Sequence, residues 1–429
     1  MTNVRTARRV APVVLALALL FPLLASAAST CGPDGVQDSG SIYRICMPDP
    51  ERYNGKVVLW AHGFQDAGTP VGIPENQLQL GNVSLPQIIN SLGYGFATNS
   101  YSKTGLAVRQ GMDDLVDLVN IYGQEQGAPS RVFLTGASEG GIITALLVEQ
   151  HPELFSGGVA ACGPVGDFVY QINYFGDARA VFEYFYPGLI PGDPFNPSQD
   201  LVSNWAAHYE EVVKPVVFHP ANRHSLDQYV AVARLPFDPE NYLETVEISV
   251  RDVLRYSVVN LPDAAQTLGG FPFGNILRRY TGSDDDALLN ALVPRVAADP
   301  AAITEMRSNY ATTGKLQKPL ITLHTRRDQQ VPYAHETLYA LKTLANGTLL
   351  TKHLNIPVDR FEHCNFTVGE ALGAFLLMLF YAGDIGGADG VGTVLSEDGV
   401  VRFETLARQY NLPYSTAGTK LTVRPPRPR

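Results

Sequence analysis

The sequence predicts an α/β fold: a mostly parallel, doubly wound sheet into which a large cap domain is inserted. Two observations carry this prediction. Strand-like and helix-like segments alternate up to about residue 163, a pattern typical of a parallel sheet with helices on both faces. Over 164–316 the alternation stops, and the chain becomes rich in proline, glycine and aromatic residues. A chain of 429 residues also exceeds what one compact core usually holds, which favours a core plus an insertion.

The individual elements come from two hydrophobic patterns. Short apolar and β-branched runs bounded by turn residues predict buried strands, and apolar residues at helical spacing predict helices. In chain order these are the strand 56–61, the helix 84–92, the strand 94–98, the helix 106–125, the strand 130–135, the helix 141–150, the strand 157–161, the strand 318–324, a helix from about residue 334 and a buried helix 371–381.

The same patterns predict the domain organisation. In order, we expect a signal peptide at 1–27, the first part of the core at 28–163, the cap at 164–316, the second part of the core at 317–382, and a C-terminal extension at 383–429 with a short element at 400–410. The start of the cap is crowded with aromatic residues, which either line a substrate pocket or form the core of the cap. For most of them the sequence favours the second interpretation. They are Phe168, Tyr170, Tyr174, Phe175, Phe182, Tyr184, Phe185 and Tyr186.

The motif Gly136-Ala137-Ser138-Glu139-Gly140 lies between the strand 130–135 and the helix 141–150. A G-x-S-x-G sequence in this position is typical of a nucleophile elbow. The sharp turn holds the serine in a strained conformation, and the small residues two before and two after it leave room for the turn. The alternative is an ordinary glycine-rich turn. We therefore take Ser138 as the candidate nucleophile.

Two backbone N–H groups are predicted to form an oxyanion hole beside Ser138. One is the N–H of Glu139, the residue after the candidate nucleophile. The other is the N–H of Phe64, because the strand 56–61 ends in a His-Gly turn near the start of the core. The side chain of Glu139 is predicted to be a surface charge that complements the helix dipole.

Asp328 and His363 are the candidate acid and base. Asp328 follows the strand 318–324, and His363 precedes the helix 371–381. The chain order serine, acid, histidine differs from the orders in chymotrypsin and subtilisin. Asp167, which follows the strand 157–161, is the rival acid. The competing interpretations are that His363 is a buried structural histidine and that Asp328 is a turn residue.

With these residues in place, the chain resembles secreted bacterial proteins of the α/β-hydrolase superfamily, of the esterase and prolyl oligopeptidase-like kind. The resemblance covers about 40–165 and 310–382, and it places Ser138, Asp328 and His363 at the superfamily's functional positions. There is also a partial likeness to tannase and feruloyl esterases, which have a cysteine directly before the serine and another directly after the histidine, joined as a disulfide. Here Cys364 fits that signature, but Ala137 stands where the first cysteine would be.

The resemblance implies a serine hydrolase that works without a cofactor, and three functions stay open. The first is a carboxylic ester hydrolase acting on a small-molecule or polymeric ester. The second is a serine peptidase or amidase of the prolyl oligopeptidase type. The third is a non-catalytic binding protein on a hydrolase scaffold, against which the complete serine, histidine and aspartate set argues. The sequence does not predict the oligomeric state.

The first 27 residues have the features of a signal peptide. Arg5, Arg8 and Arg9 precede an apolar stretch over 10–24, and Ala25-Ser26-Ala27 is an A-x-A cleavage site. The stretch is short for a membrane anchor. Cleavage would take the net charge from −10 to −13, because it removes three arginines. A secreted or periplasmic protein is expected, with neither a nucleic acid nor a membrane as partner.

Four cysteines remain after residue 27, and an even number in an exported chain allows two disulfides. Cys31 with Cys46 would close a short loop, and Cys162 with Cys364 would tether the loop that carries the candidate base. Buried free thiols are the alternative. No C-x-x-C or H-E-x-x-H motif occurs, so no metal site is predicted.

Overall fold

The computed structural model describes residues 30–81 and 83–385. The predicted signal peptide, 1–27, and the predicted tail element, 400–410, lie outside the described residues. Of the predicted C-terminal extension, only 383–385 are described.

The strands form one large sheet and a small hairpin. They are β1 (Thr30–Cys31), β2 (Gly35–Val36), β3 (Ile42–Met47), β4 (Lys56–Ala61), β5 (Gln79–Leu80), β6 (Val83–Ser84), β7 (Gly95–Asn99), β8 (Arg131–Ala137), β9 (Gly157–Ala161), β10 (Leu320–Arg327) and β11 (His353–Phe361). The large sheet has the order β1-β3-β7-β4-β8-β9-β10-β11, with β2 paired to β3, and β5 pairs with β6 separately. The strands from β7 to β11 in this order are parallel, whereas β3 is antiparallel to β7. The predicted parallel sheet is confirmed.

The helices are α1 (Leu85–Ser91), α2 (Val108–Gln126), α3 (Glu139–Gln150), α4 (Phe168–Phe185), α5 (Gln199–Ser203), α6 (Trp205–His208), α7 (Lys214–Val217), α8 (Arg223–Ala233), α9 (Tyr242–Arg255), α10 (Leu261–Thr267), α11 (Asp286–Leu292), α12 (Pro300–Asn309), α13 (Ala334–Ala345) and α14 (Val368–Tyr381). Helix α14 begins three residues before its predicted start, because Thr367 and Glu370 form a capping box. None of the described helices is long and apolar enough to cross a membrane.

Helices cover both faces of the sheet. Val57 and Leu59 of β4 pack into the hydrophobic cluster that holds α2 and α3. Val58, which points to the opposite face, packs into the cluster that holds α14. The sheet is therefore doubly wound, as the sequence predicts.

Between β9 and β10 the chain adds no strand to the sheet and forms the helices α4 to α12. Much of this segment packs into a hydrophobic cluster of its own, which includes Tyr174, Phe182 and Tyr186. For these three aromatic residues the core interpretation is correct. Phe168 packs instead against Tyr310 in the hydrophobic cluster that holds α2 and α3. The segment has the character expected of a cap, and the predicted boundaries, 164–316, stay a prediction.

Candidate active site

Ser138 occupies a sharp turn between β8 and α3. Its backbone has a φ of 58° and a ψ of −120°, which a residue with a side chain adopts only when its surroundings enforce it. The Ser138 N–H donates to the Ala161 carbonyl at 2.9 Å, and the Ser138 carbonyl accepts from the Gly141 N–H at 2.9 Å. The turn is thus fixed by hydrogen bonds on both sides of the serine.

The glycines on either side of Ser138 are required by packing. A Cβ on Gly136 would lie 2.6 Å from Thr144 Oγ1, and one on Gly140 would lie 2.6 Å from the His62 carbonyl oxygen. Neither separation is possible for a real side chain. Glycine at position 136 lets β8 approach α3, and glycine at position 140 lets the start of α3 approach the end of β4, which explains the G-x-S-x-G spacing.

The structure brings Ser138, His363 and Asp328 into one hydrogen-bonded line. His363 Nε2 lies 2.9 Å from Ser138 Oγ, and His363 Nδ1 lies 2.7 Å from Asp328 Oδ2. Beside an ionised Asp328, the proton belongs on Nδ1, which leaves Nε2 to accept the hydrogen bond of the serine hydroxyl. This arrangement can remove a proton from Ser138.

Asp328 is completely buried, and its other oxygen is also fixed. Oδ1 accepts from the backbone N–H groups of Gln330, at 2.9 Å, and Val331, at 2.8 Å. Burial alone would raise the pKa of the Asp328 carboxyl, but His363 and His324 hold it below its usual value. The carboxylate is therefore ionised at neutral pH and oriented toward His363.

His324 is a second neighbour of Asp328 that the sequence analysis missed. Its Nε2 donates to the Val331 carbonyl at 2.9 Å and lies 3.4 Å from Asp328 Oδ2, while its Nδ1 donates to Glu336 Oε1 at 3.0 Å. Burial alone would lower the pKa of His324, but the carboxylates of Asp328 and Glu336 raise it to about 10. The one available signal was a histidine at the end of an apolar strand, four residues before the candidate acid.

The carboxylate of Asp167, the rival acid, has a structural role at the start of a helix. Its Oδ1 accepts from the backbone N–H groups of Val169, at 2.9 Å, and Tyr170, at 3.3 Å. This is the N-cap of α4. The carboxylate hydrogen-bonded to His363 is that of Asp328.

Two disulfides join all four cysteines of the described chain, Cys31 to Cys46 and Cys162 to Cys364. The second links the residue after β9 to the residue after His363. Ligand atoms of Cys162, His363 and Cys364 lie within 4.8 Å of one another, but a sulfur in a disulfide is not a thiolate and does not bind a metal. The disulfide instead restrains the loop that carries His363.

We expect loss of this disulfide to slow turnover. The double substitution Cys162→Ser and Cys364→Ser should lower kcat, because His363 is then held less firmly. It should also lower the melting temperature, since the disulfide closes a loop with a sequence separation of 202. The matched control, Cys31→Ser with Cys46→Ser, should lower the melting temperature without lowering kcat. An unchanged kcat in the first variant would contradict the positioning role.

The backbone N–H groups of Phe64 and Glu139 lie near Ser138 and have no hydrogen-bond partner among the described residues. The turn that carries Phe64 lies against the serine, since a Cβ on Gly63 would be 3.2 Å from Ser138 Cβ. The N–H of Gly63 donates to Gln77 Oε1 at 2.6 Å, which fixes the turn and leaves the next N–H available. An oxyanion hole needs donors of this kind.

The side chain of Glu139 is not a surface charge, and that prediction is wrong. Glu139 is 7% exposed, because the segment leading into α2 covers the start of α3. Its Oε1 accepts from the Ala107 N–H at 2.8 Å, and its Oε2 has no partner among the described residues. Burial raises the pKa of the Glu139 carboxyl to about 8.

The raised pKa of Glu139 predicts a pH-dependent stability. The folded protein keeps a proton that the unfolded chain releases above the ordinary value of 4.5, so the free energy of unfolding should fall as pH rises from 4.5 to about 8. Glu139→Gln removes this loss and should stabilise the protein by about 2–4 kcal/mol at pH 8, with little gain at pH 4. Urea unfolding at several pH values measures the difference. A gain in the free energy of unfolding that does not change with pH would contradict a buried, protonated Glu139. Glu51→Gln, at an exposed position, is the control.

Two cavities meet at Ser138. The cap cavity, about 650 Å³ with its opening, is lined by Leu106, Ile142, Phe168, Ile172, Phe175 and Leu261 together with Glu139 and Asn260. The sheet cavity, about 1290 Å³ with its opening, is lined by Trp60, Leu80, Leu85, Ile89, Phe366 and Phe375 together with His363 and Cys364. Phe64, Ser138, Tyr256 and Gln330 line both. Phe168 and Phe175 therefore do line a pocket, the less favoured of the two interpretations.

Comparison with known proteins gives a family match for one part of the chain. Residues 90–183, from the segment before β7 to α4 and including Ser138, match the prolyl oligopeptidase family. The sheet has one antiparallel edge followed by parallel strands, with the serine turn at the end of a central strand. The chain has the α/β-hydrolase fold. No curated protein matches the chain in sequence.

Several solved structures resemble this chain at low sequence identity. An acylaminoacyl peptidase from Pyrococcus horikoshii is 11% identical, with a TM-score of 0.44, over 87% of this chain and 45% of that chain. An esterase from Aspergillus oryzae is 13% identical, with a TM-score of 0.44, over 82% of this chain and 79% of that one. Candida antarctica lipase A is 16% identical, with a TM-score of 0.39, over 87% and 85%. The chain spans less than half the length of the acylaminoacyl peptidase.

Proposed function

We propose that this α/β-hydrolase is a secreted or periplasmic serine hydrolase that cleaves carboxylic esters through an acyl-enzyme. The observation that carries the proposal is the hydrogen-bonded line from Ser138 through His363 to Asp328. The two disulfides support an oxidising compartment.

Each residue has a role in the proposed reaction. Ser138 Oγ attacks the ester carbonyl while His363 Nε2 takes its proton, and Asp328 stabilises the imidazolium that forms. The N–H groups of Phe64 and Glu139 bind the oxyanion of the tetrahedral intermediate. The imidazolium then gives its proton to the leaving alcohol. Water attacks the acyl-enzyme while His363 takes a proton from it, and the imidazolium returns that proton to Ser138 Oγ as the acyl–Oγ bond breaks and the carboxylic acid leaves.

The walls of the two cavities favour an ester over a peptide. Their lining residues are mostly apolar and include no lysine or arginine. A peptide carries an N–H and a carbonyl at every residue, and an apolar wall leaves these groups without partners. An ester presents no N–H donor. The prolyl oligopeptidase match at 90–183 keeps a peptidase or amidase as the second candidate.

Hydrolysis of p-nitrophenyl esters of graded chain length, measured beside peptide p-nitroanilides, tests the proposal. We expect esters to be cleaved with a kcat/KM at least about 100-fold higher than anilides, since ester hydrolysis does not depend on protonating a poor leaving amine. Faster cleavage of an anilide would favour the peptidase, and hydrolysis of neither would favour a binding protein.

A further inference from the structure

The wall of the cap cavity contains two buried polar side chains whose hydrogen bonds are incomplete. Asn260 is 6% exposed, and neither its Oδ1 nor its Nδ2 has a partner among the described residues. Glu139 Oε2 has none either. The amide side chains of Gln171 and Gln330, which line the same cavity, do have partners within the protein. A buried polar group without a partner costs about 1–3 kcal/mol, so two on one wall indicate a ligand that completes their hydrogen bonds.

Asn260 owes its position to an irregular helical turn. Tyr256–Asn260 is π-helical and separates α9 from α10, and such turns occur frequently at functional sites. Tyr256, at the start of the turn, stacks on Phe175 at 4.6 Å and donates to Gln330 Oε1 at 3.0 Å. The turn is thus held firmly against the cavity wall, with Asn260 at its other end.

The position of His363 assigns the two halves of an ester to the two cavities. The leaving oxygen must lie within reach of His363 Nε2, which protonates it. His363 lines the sheet cavity and is not among the residues that line the cap cavity. The alcohol half therefore occupies the sheet cavity, and the acyl half extends into the cap cavity.

We propose that the cap cavity binds an acyl group that is apolar except for a hydroxyl group, which Glu139 and Asn260 hydrogen-bond. This inference rests on the proposed function, because it takes Ser138 to attack an ester. A hydroxyl both donates and accepts, and it matches the amide of Asn260, which offers one donor group and one acceptor.

The environment of Glu139 supplies the second partner. Burial raises the pKa of Glu139 to about 8 and outweighs the Ala107 N–H hydrogen bond and Lys103, which lower it, while Asp263 also raises it. Because Oε1 accepts from the Ala107 N–H, the proton belongs on Oε2, which has no acceptor within the described chain. A neutral carboxyl donates to an acyl hydroxyl without placing a negative charge beside the oxyanion.

Matched esters test this specificity. We compare p-nitrophenyl hexanoate with the 3-hydroxy and 6-hydroxyhexanoate esters, each corrected for its spontaneous hydrolysis. The wild-type kcat/KM should be at least about 10-fold higher for one of the hydroxylated esters, since a site with unpaired polar groups discriminates against a ligand that leaves them unpaired. Asn260→Leu should bring this ratio close to one, and Glu139→Gln, which keeps a donor, should retain a preference.

Controls separate specificity from folding. Ser257 lies in the same π-helical turn as Asn260 but does not line the cap cavity. Ser257→Ala should therefore keep the wild-type ratio of kcat/KM between the hydroxylated and plain esters. Asn260→Leu should also raise the melting temperature, because it removes a buried amide without a partner. Equal rates for all three esters, or a preference that survives Asn260→Leu, would overturn the inference while leaving the esterase intact. If the wild-type protein cleaves no ester, the proposed function itself fails and this inference with it.

Discussion

Replacement of Ser138 by alanine is expected to lower kcat/KM for an ester by about 10³-fold or more and to leave the fold intact. Without the serine hydroxyl no acyl-enzyme forms, and only the oxyanion donors and substrate binding contribute to the remaining rate. Alanine at a φ of 58° is strained no more than serine is, so thermal unfolding should change little. The exposed Ser203→Ala is the matched control.

Ester hydrolysis and thermal unfolding of both variants are the measurements. A Ser138→Ala protein that hydrolyses esters at a near-normal rate would show that another residue is the nucleophile. A variant that is inactive because it unfolds would be recognised by its melting curve.

Asp328→Asn is expected to reduce kcat by about 10⁴-fold. The amide cannot stabilise the imidazolium, and its N–H₂ group favours the wrong tautomer of His363. Asp167→Asn should cost little, because asparagine also caps a helix N-terminus and the Asp167 carboxylate bonds to backbone N–H groups of α4.

Steady-state kinetics of the two variants with the same ester decide between the acids. A large loss for Asp167→Asn with a small one for Asp328→Asn would require a different acid from the one hydrogen-bonded to His363 in the structure.

Five of the six strands in the parallel part of the sheet could be predicted because they are largely buried; β11, which lies at the edge of the sheet and is only partly buried, was missed. β4, β8, β9 and β10 are therefore short apolar runs, which the sequence shows directly. The antiparallel edge could not be predicted. Strands β1 and β2 have two residues each, too few for a hydrophobic pattern, and their pairing depends on residues far along the chain.

In the site, the residues with a local signature were found and the others were not. Ser138 lies in a motif that the turn geometry itself requires, and Asp328 and His363 follow it in a known chain order. The burial of Glu139 depends on the segment that covers α3, and the role of His324 depends on Glu336 from the next helix. The contact of Glu139 has no local sequence signal, and for His324 the only signal is its place at the end of an apolar strand, four residues before Asp328.

The cap posed the largest difficulty. Some of its aromatic residues form a separate hydrophobic core and others line the cap cavity. Which role each aromatic residue has depends on how α4 packs against the rest of the protein. Asn260 has no sequence motif at all, since its position follows from the π-helical turn before α10.

The central claim is that Ser138 becomes covalently bonded to the acyl group during turnover. Treatment with a fluorophosphonate, which reacts with activated serine nucleophiles, followed by peptide mapping tests it most directly. We predict one adduct per chain, on the peptide that contains Ser138, and its disappearance in the Ser138→Ala and His363→Ala variants. An adduct on a different residue, or ester turnover that continues unchanged in the presence of the reagent without any adduct, would contradict the claim.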